Sequence, residues 1–166
     1  LEVTGDASVL DEVVGFIEGR AVTPEEEGYY DMPTPSVQRG TLYAHCIVAL
    51  DRGCRLLGER GLPLMGSGDW NDGMNRVGDQ QRGESVWLGF FLHDTLRRFA
   101  VLADARGDAT RAQWCQQQAE SLRRNLEHHA WDGAWYRRAW FDNGAALGSA
   151  ENRECRIDSI SQSWSV

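Results

Sequence analysis

Residues 61–78 read GLPLMGSGDWNDGMNRVG, and the organisation of the chain turns on them. Glycines at 61, 66, 68, 73, 78 and again at 83 deny regular structure to residues 60–83, so this is a loop built for close backbone approach. On its N-terminal side, Leu42, Tyr43, Cys46, Ile47, Leu50, Cys54 and Leu57 recur at helical spacing from Thr41 to a stop near Gly58. On its C-terminal side, Glu84 to Arg106 carries Val86, Trp87, Phe90, Phe91, Leu96, Phe99, Ala100, Leu102 and Ala103, which predicts a long helix apolar on more than one side. Asp108 then caps a helix reaching about His129, with Ala112, Cys115, Ala119, Leu122 and Leu126 on one face.

Further out the pattern weakens. Ser8 to Gly19 has Val9, Leu10, Val13, Val14, Phe16 and Ile17 at helical spacing. Residues 20–40, with Pro24, Pro33, Pro35, Tyr29 and Tyr30, predict a long irregular connection. Trp135 to Phe141, followed by Asp142-Asn143-Gly144, predicts a strand entering a tight turn. Residues 158–166 are polar and end without a stop signal, which suggests truncation. Paired helices joined by irregular loops fit an all-α toroid or barrel with a small β-hairpin, although periodicity alone leaves a plain bundle open.

Bulk properties exclude several functions. The 166 residues suit one domain or part of one, and 42% hydrophobic residues can build a core. A formal charge of −8 gives no reason to approach nucleic acid or an anionic membrane, both of which reward a basic face. Cysteines 46, 54, 115 and 155 form no CxxC pair and no zinc-finger spacing, so no metal is expected and reduced thiols in the cytoplasm are. No apolar run approaches the roughly 20 residues that span a bilayer, and Leu1 opens within ordinary acidic sequence without a signal peptide. Seven Trp are an excess; most Trp residues belong to cores, but the indole face also suits stacking on sugar rings.

The loop segment GSGDWNDGMN, 66–75, is the sugar-handling candidate. Asp69, Trp70, Asn71 and Asp72 place two carboxylates, an indole and an amide side by side. Cleaving a glycosidic bond needs a carboxylic acid to protonate the leaving oxygen, and a neighbouring aromatic wall orients the sugar and excludes water. Asp72 beside Trp70 supplies both. Three other readings compete: Asx turns and caps, which use Asp and Asn before Gly for local hydrogen bonding; calcium binding; and phosphate cradling by the glycines. Calcium is disfavoured because, counting Asp69 as position 1, Gly73 falls at position 5 and Gln80 at position 12, where an EF-hand needs oxygen ligands. The glycines lack a Walker lysine.

Four strings in order, GLPLMGSGDWNDGMNRVG (61–78), RGESVWLGFFL (82–92), DGAWYRRAWFDNG (132–144) and CRIDSISQSW (155–164), closely resemble family 94 of the glycoside hydrolases. That family includes cellobiose and chitobiose phosphorylases and the C-terminal region of cyclic β-1,2-glucan synthases, and the wording is nearest to the synthases. The match covers about residues 40–166 and is looser before. The resemblance implies a fragment of an (α/α)6 barrel catalytic domain, spanning 1–166 and truncated at both ends. It also implies inverting phosphorolysis of β-glucosidic bonds, with β-1,2-glucan oligosaccharide and inorganic phosphate as co-substrates and no cofactor. Because phosphate attacks the anomeric carbon, one carboxylic acid suffices. The family's general acid, the second Asp of GDWND, maps onto Asp72, and the sugar-lining Trp onto Trp70; Asp69, Asn71 and Arg76 share the loop as candidate substrate contacts.

One departure concerns the helix pattern T-L-Y-x-H, where the family commonly has an acidic residue but Thr41-Leu42-Tyr43 is followed here by Ala44 and His45. His45 is a candidate polar contact, weighed against a buried helix histidine satisfied by a backbone carbonyl. Glu84 suits a helix N-terminus, and Glu151, Glu154 and Asp158 suit solvated or local turn positions. Phosphate ligands are expected outside these residues, so the isolated chain is expected to be inactive and poorly soluble. The parent protein is allowed an inner-membrane anchor, with this segment on the cytoplasmic side and not touching the membrane. A non-catalytic glucan-binding or scaffold domain and an inverting hydrolase are the alternatives.

Overall fold

The computed structural model describes every residue except Leu1, Glu2, Val22, Pro24, Glu25, Glu27, Tyr29 and Val166, and the side chain of Asp72 also lies outside what is described. Among the described residues the fold is mixed rather than all-α: helices are joined by two small antiparallel sheets. The chain divides into two compact units, Leu1–Arg52 and Gly53–Val166.

In the first unit, Ser8–Gly19 is not a helix. A single 3-10 turn, Ser8–Asp11, leads into strand β1, Val13–Glu18. The expected irregular stretch to residue 40 ends in a second strand, β2, Thr34–Thr41, antiparallel to β1; the expectations at Pro24 and Tyr29 lie outside the described residues. Short apolar runs do not distinguish helix from strand. Val13, Val14 and Ile17 are β-branched, Gly15 weakens a helix, and a partner distant in sequence completes the ladder. The register shifts between Gly15 and Ile17, so Phe16 bulges, and its ring stacks on His45 with centroids 3.7 Å apart. His45 sits on helix α1, Leu42–Arg55, the expected helix, which starts where Thr41 Oγ1 accepts the Ala44 amide at 3.1 Å.

The second unit holds the long loop and three further helices. The helix expected from Glu84 gives its first two residues to strand β3, Glu84–Ser85, before helix α2 runs Val86–Ala105. Ser85 caps α2 by accepting the Leu88 amide at 3.1 Å. Asp108 caps helix α3, Ala109–Asn125, accepting the Arg111 amide at 3.0 Å, and a π turn, Leu126–Ala130, ends it. Helices α2 and α3 pack on each other, and small buried residues, Ala100 and Ala103 on one and Ala112 and Ala119 on the other, let the backbones approach. Gly89 of α2 leaves room for the Leu126 side chain of the π turn, because a Cβ there would meet Leu126 Cδ2 at 2.9 Å.

The expected strand shrinks to β4, Ala139–Trp140, lying between β3 and β5, Ala146–Leu147. Gly144, at φ +81°, closes the β4–β5 turn as the Asp-Asn-Gly triplet predicts. Residues after Asp158 form a short helix, α4, Ser159–Trp164. Two apolar clusters hold this region: Leu62, Val86, Leu126 and Ala130 with Phe90, Tyr136 and Trp140, and, beneath the loop, Met65, Val77 and Ala139 with Met74, Phe141 and Leu147.

Candidate active site

The glycine loop closes through its own backbone. Met65 donates its amide to the Gly83 carbonyl at 2.8 Å, joining the two legs. Gly78 has no room for a Cβ, which would lie 3.0 Å from Gly66 N and O, and a Cβ on Gly83 would lie 2.6 Å from Gly78 Cα and press on the Val77 carbonyl oxygen. These glycines are there for close approach, as the sequence predicts.

The returning leg is held by Asp142, at the start of the β4–β5 turn. Its carboxylate accepts the amides of Gln80 at 2.9 Å and of Arg82 and Gly83 at 2.8 Å each, while its own amide donates to the Val77 carbonyl. Burial would raise the Asp142 carboxyl, but these amide donors and a hydrogen bond with Asp79 outweigh burial and hold it below the usual carboxylate range.

The root of the Asp69–Asp72 segment is ionic. Asp69 has no exposed side-chain surface and Arg138 only 2%. Arg138 Nη1 lies 2.8 Å from Asp69 Oδ2, and Nη2 donates to Oδ1 at 2.8 Å, the forked geometry of a strong guanidinium–carboxylate pair. Ser85 Oγ donates to Asp69 Oδ2 at 2.6 Å, and Arg138 Nη1 reaches the same hydroxyl at 3.3 Å. Asp69 Oδ1 also accepts the Asn71 amide at 3.1 Å. Burial alone would raise the Asp69 carboxyl; the hydrogen bonds from Arg138, Ser85 and Asn71, backed by the Arg138 charge, overcome it and keep Asp69 below its ordinary value.

Above this root the segment turns outward. Trp70 is 71% exposed, the most exposed of the seven tryptophans, and so contributes little to the core. Asn71 Oδ1 accepts the Gly73 amide at 3.0 Å and caps a 3-10 turn over Asp72–Met74. The Asx-turn reading is therefore correct for Asn71 and for one bond of Asp69. Asp72 opens the 3-10 turn, and Arg76 is exposed in the turn that follows.

Other expectations are redistributed. His45 Nε2 lies 3.4 Å from the Val14 carbonyl, within its own unit, matching the histidine satisfied by backbone. Glu84 does more than favour a helix end: it is fully buried, 2.9 Å from Arg60 Nη1, and accepts the amides of Arg60 and Leu62 at 3.0 and 3.2 Å. Arg60 in turn lies over the Trp140 ring at 4.0 Å. Asp158 caps α4 through the Ile160 amide at 2.9 Å and places Oδ2 3.9 Å from Arg138 Nε, more than a local turn partner. Gln162 binds the backbone of Tyr136, accepting its amide at 2.9 Å and donating to its carbonyl at 2.7 Å.

Sequence reasoning missed Arg138, Ser85 and Asp142. Arg138 left one trace: in the alternation Tyr136, Arg138, Trp140, a charge interrupts an aromatic face. These residues tie together the four separate strings, since Arg138 and Asp142 of the third reach Asp69 of the first, Ser85 and Gly83 of the second and Asp158 of the fourth. Among the described residues no cluster of three His, Cys, Asp or Glu side chains is placed to hold a metal, no disulfide joins any of the four cysteines, and no helix is long and apolar enough to cross a membrane.

The sequence is similar to those of known proteins. Residues 2–166 match the family model described as the glycosyl hydrolase 94 superfamily, catalytic domain. The chain is 50% identical to the cyclic β-(1,2)-glucan synthase NdvB of Rhizobium meliloti (strain 1021), over 99% of the chain and 6% of that protein. It is 32% identical to solabiose phosphorylase of Paenibacillus borealis, over all of the chain and 19% of that enzyme. Against N,N'-diacetylchitobiose phosphorylase of Vibrio furnissii it is 30% identical, over 98% of the chain and 18% of that enzyme. The chain thus spans less than a fifth of the length of these relatives, yet aligns with each along nearly its whole extent. It belongs to the glycosyl hydrolase 94 superfamily and matches the catalytic domain of that family.

Proposed function

We propose that the chain supplies the acid loop of a phosphorylase domain that cleaves β-glucosidic bonds with inversion, as part of an (α/α)6 barrel within a longer polypeptide, and that its substrate is a β-1,2-linked glucan. Phosphate oxygen attacks the anomeric carbon from the face opposite the leaving group. The bond from that carbon to the glycosidic oxygen breaks, Asp72 gives its proton to the departing oxygen, and glucose 1-phosphate forms with the inverted configuration. Trp70 offers its face to the sugar, and Asn71 and Arg76 stand beside it as polar contacts. Asp69 is reassigned from substrate contact to support of the loop.

The observation carrying this reading is the burial of Asp69 in a forked pair with Arg138. Asp69 is buried, forked onto Arg138 and held ionised, so it has no proton to give at neutral pH. Asp72 is the other carboxylic acid of the motif, two positions along the chain from the exposed Trp70. Half identity to a named β-(1,2)-glucan synthase favours the β-1,2 linkage over the linkages of the phosphorylases at about 30%.

The test measures glucose 1-phosphate released from β-1,2-glucooligosaccharides and phosphate by the intact polypeptide. Asp72→Asn is expected to lower kcat by about 100- to 10,000-fold, the usual worth of a general acid. Undiminished release by that variant sinks the assignment.

A further inference from the structure

With Asp72 taken as the acid, and so dependent on that reading, we infer that Arg138 is a positioning residue that sets the acid's backbone through a relay of hydrogen bonds from the protein interior. The relay is continuous. Arg138 forks onto Asp69, Asp69 Oδ1 accepts the Asn71 amide, and Asn71 Oδ1 accepts the Gly73 amide. Asp72 lies between the last two residues, so its φ and ψ are bracketed by bonds that trace back to one buried guanidinium.

Three features single out Arg138 from an ordinary structural ion pair. A buried pair is weak evidence of stability, because apolar side chains of the same volume commonly do as well. Its place in the molecule calls for another use. The pair is also oriented from three sides: Ser85 Oγ donates to Asp69 while capping α2, the Arg138 carbonyl accepts the Val86 amide at 3.2 Å, and Asp158 stands 3.9 Å from Nε. The Asp72–Met74 turn is itself short and is capped by the Asn71 side chain, so its conformation depends on what anchors Asn71. A guanidinium presents two parallel donors in a rigid plane, which an ammonium does not, and the Asp69 carboxylate uses both.

A positioning role is separated from a structural one by leaving-group dependence. Phosphorolysis of an oligosaccharide needs the proton, whereas 2,4-dinitrophenyl β-glucoside releases dinitrophenolate, a stable anion that departs without one. In the intact polypeptide, Arg138→Lys is expected to lower kcat/KM for β-1,2-glucooligosaccharide phosphorolysis by about 100-fold, the scale of a 1 Å misplacement of a catalytic group. Its effect on the activated glucoside is expected to stay within about threefold, the remainder of the site being intact. Asp69→Asn, which keeps an acceptor for the Asn71 amide but loses the charge pair, is the second variant and is expected to show the same selectivity in smaller measure.

Equal losses on both substrates, or no loss on either, overturn the inference. So does a pair of variants that both fail to fold, which assigns Arg138 and Asp69 to stability alone. Asp72→Asn run alongside keeps the two claims apart. Full activity in that variant removes the acid assignment itself, while an inactive Asp72→Asn beside a leaving-group-independent loss in Arg138→Lys removes only the positioning role.

Discussion

The regular hairpin β1–β2 and the irregular loop of residues 61–83 invert the usual expectation about which kind of structure is better specified. The hairpin has a ladder of backbone pairs, but its side chains are largely in water: Ile17 is 73% exposed and Val37 97%. The loop has almost no regular structure, yet its legs touch backbone to backbone at Gly66, Gly78 and Gly83, three carboxylates accept its amides, and an apolar cluster lies beneath it. Regularity satisfies backbone groups; specification comes from how many distant residues must be in place at once.

This contrast predicts very different tolerances. Gly83→Ala is expected to cost about 3 kcal/mol, since the added Cβ meets backbone atoms that cannot swing aside. A urea midpoint shared with the parent protein would break the comparison. Asp142→Ala removes the acceptor of three amides and is expected to cost about 2 kcal/mol at neutral pH in the same measurement.

Acid sharpens that second expectation. Asp69 and Asp142 both have folded-state values below the ordinary 3.8. Their contribution is complete above that value and is lost as the pH falls beneath it through the lowered values, because the unfolded chain takes up the protons first. Urea midpoints should therefore drop below pH 4, and Asp142→Ala should drop less. The smallest effect belongs to the hairpin: Val37→Thr, at a nearly fully exposed strand position, is expected to stay within about 0.5 kcal/mol.

Much was legible where the physics is local. α1, α2 and α3 announce themselves by a 3.6-residue apolar period, Asp108 by its place ahead of one, and the loop by its glycines. Helical spacing in Ser8–Gly19 does not reveal a strand, because the features that make β1 a strand include partners such as Thr34 for Glu18 and Thr41 for Val13, well beyond the segment itself. Glu84 was read as a helix-end charge because its partner Arg60 precedes it by 24 residues across the loop. Polar residues buried by distant partners leave a faint trace, as Arg138 does in its aromatic alternation.

By itself, then, the sequence determined the family, the three long helices and the glycine loop, because motif order, periodicity and glycine placement are properties of neighbours along the chain. It did not tell that Asp69 is buried in an ion pair. Tertiary structure decided that Asp69 is ionised and withdrawn, since that depends on a guanidinium 69 residues away being brought within 2.8 Å in a place water does not reach. Charge pairing in a buried site is a question of geometry, and geometry of that range is written nowhere in local sequence.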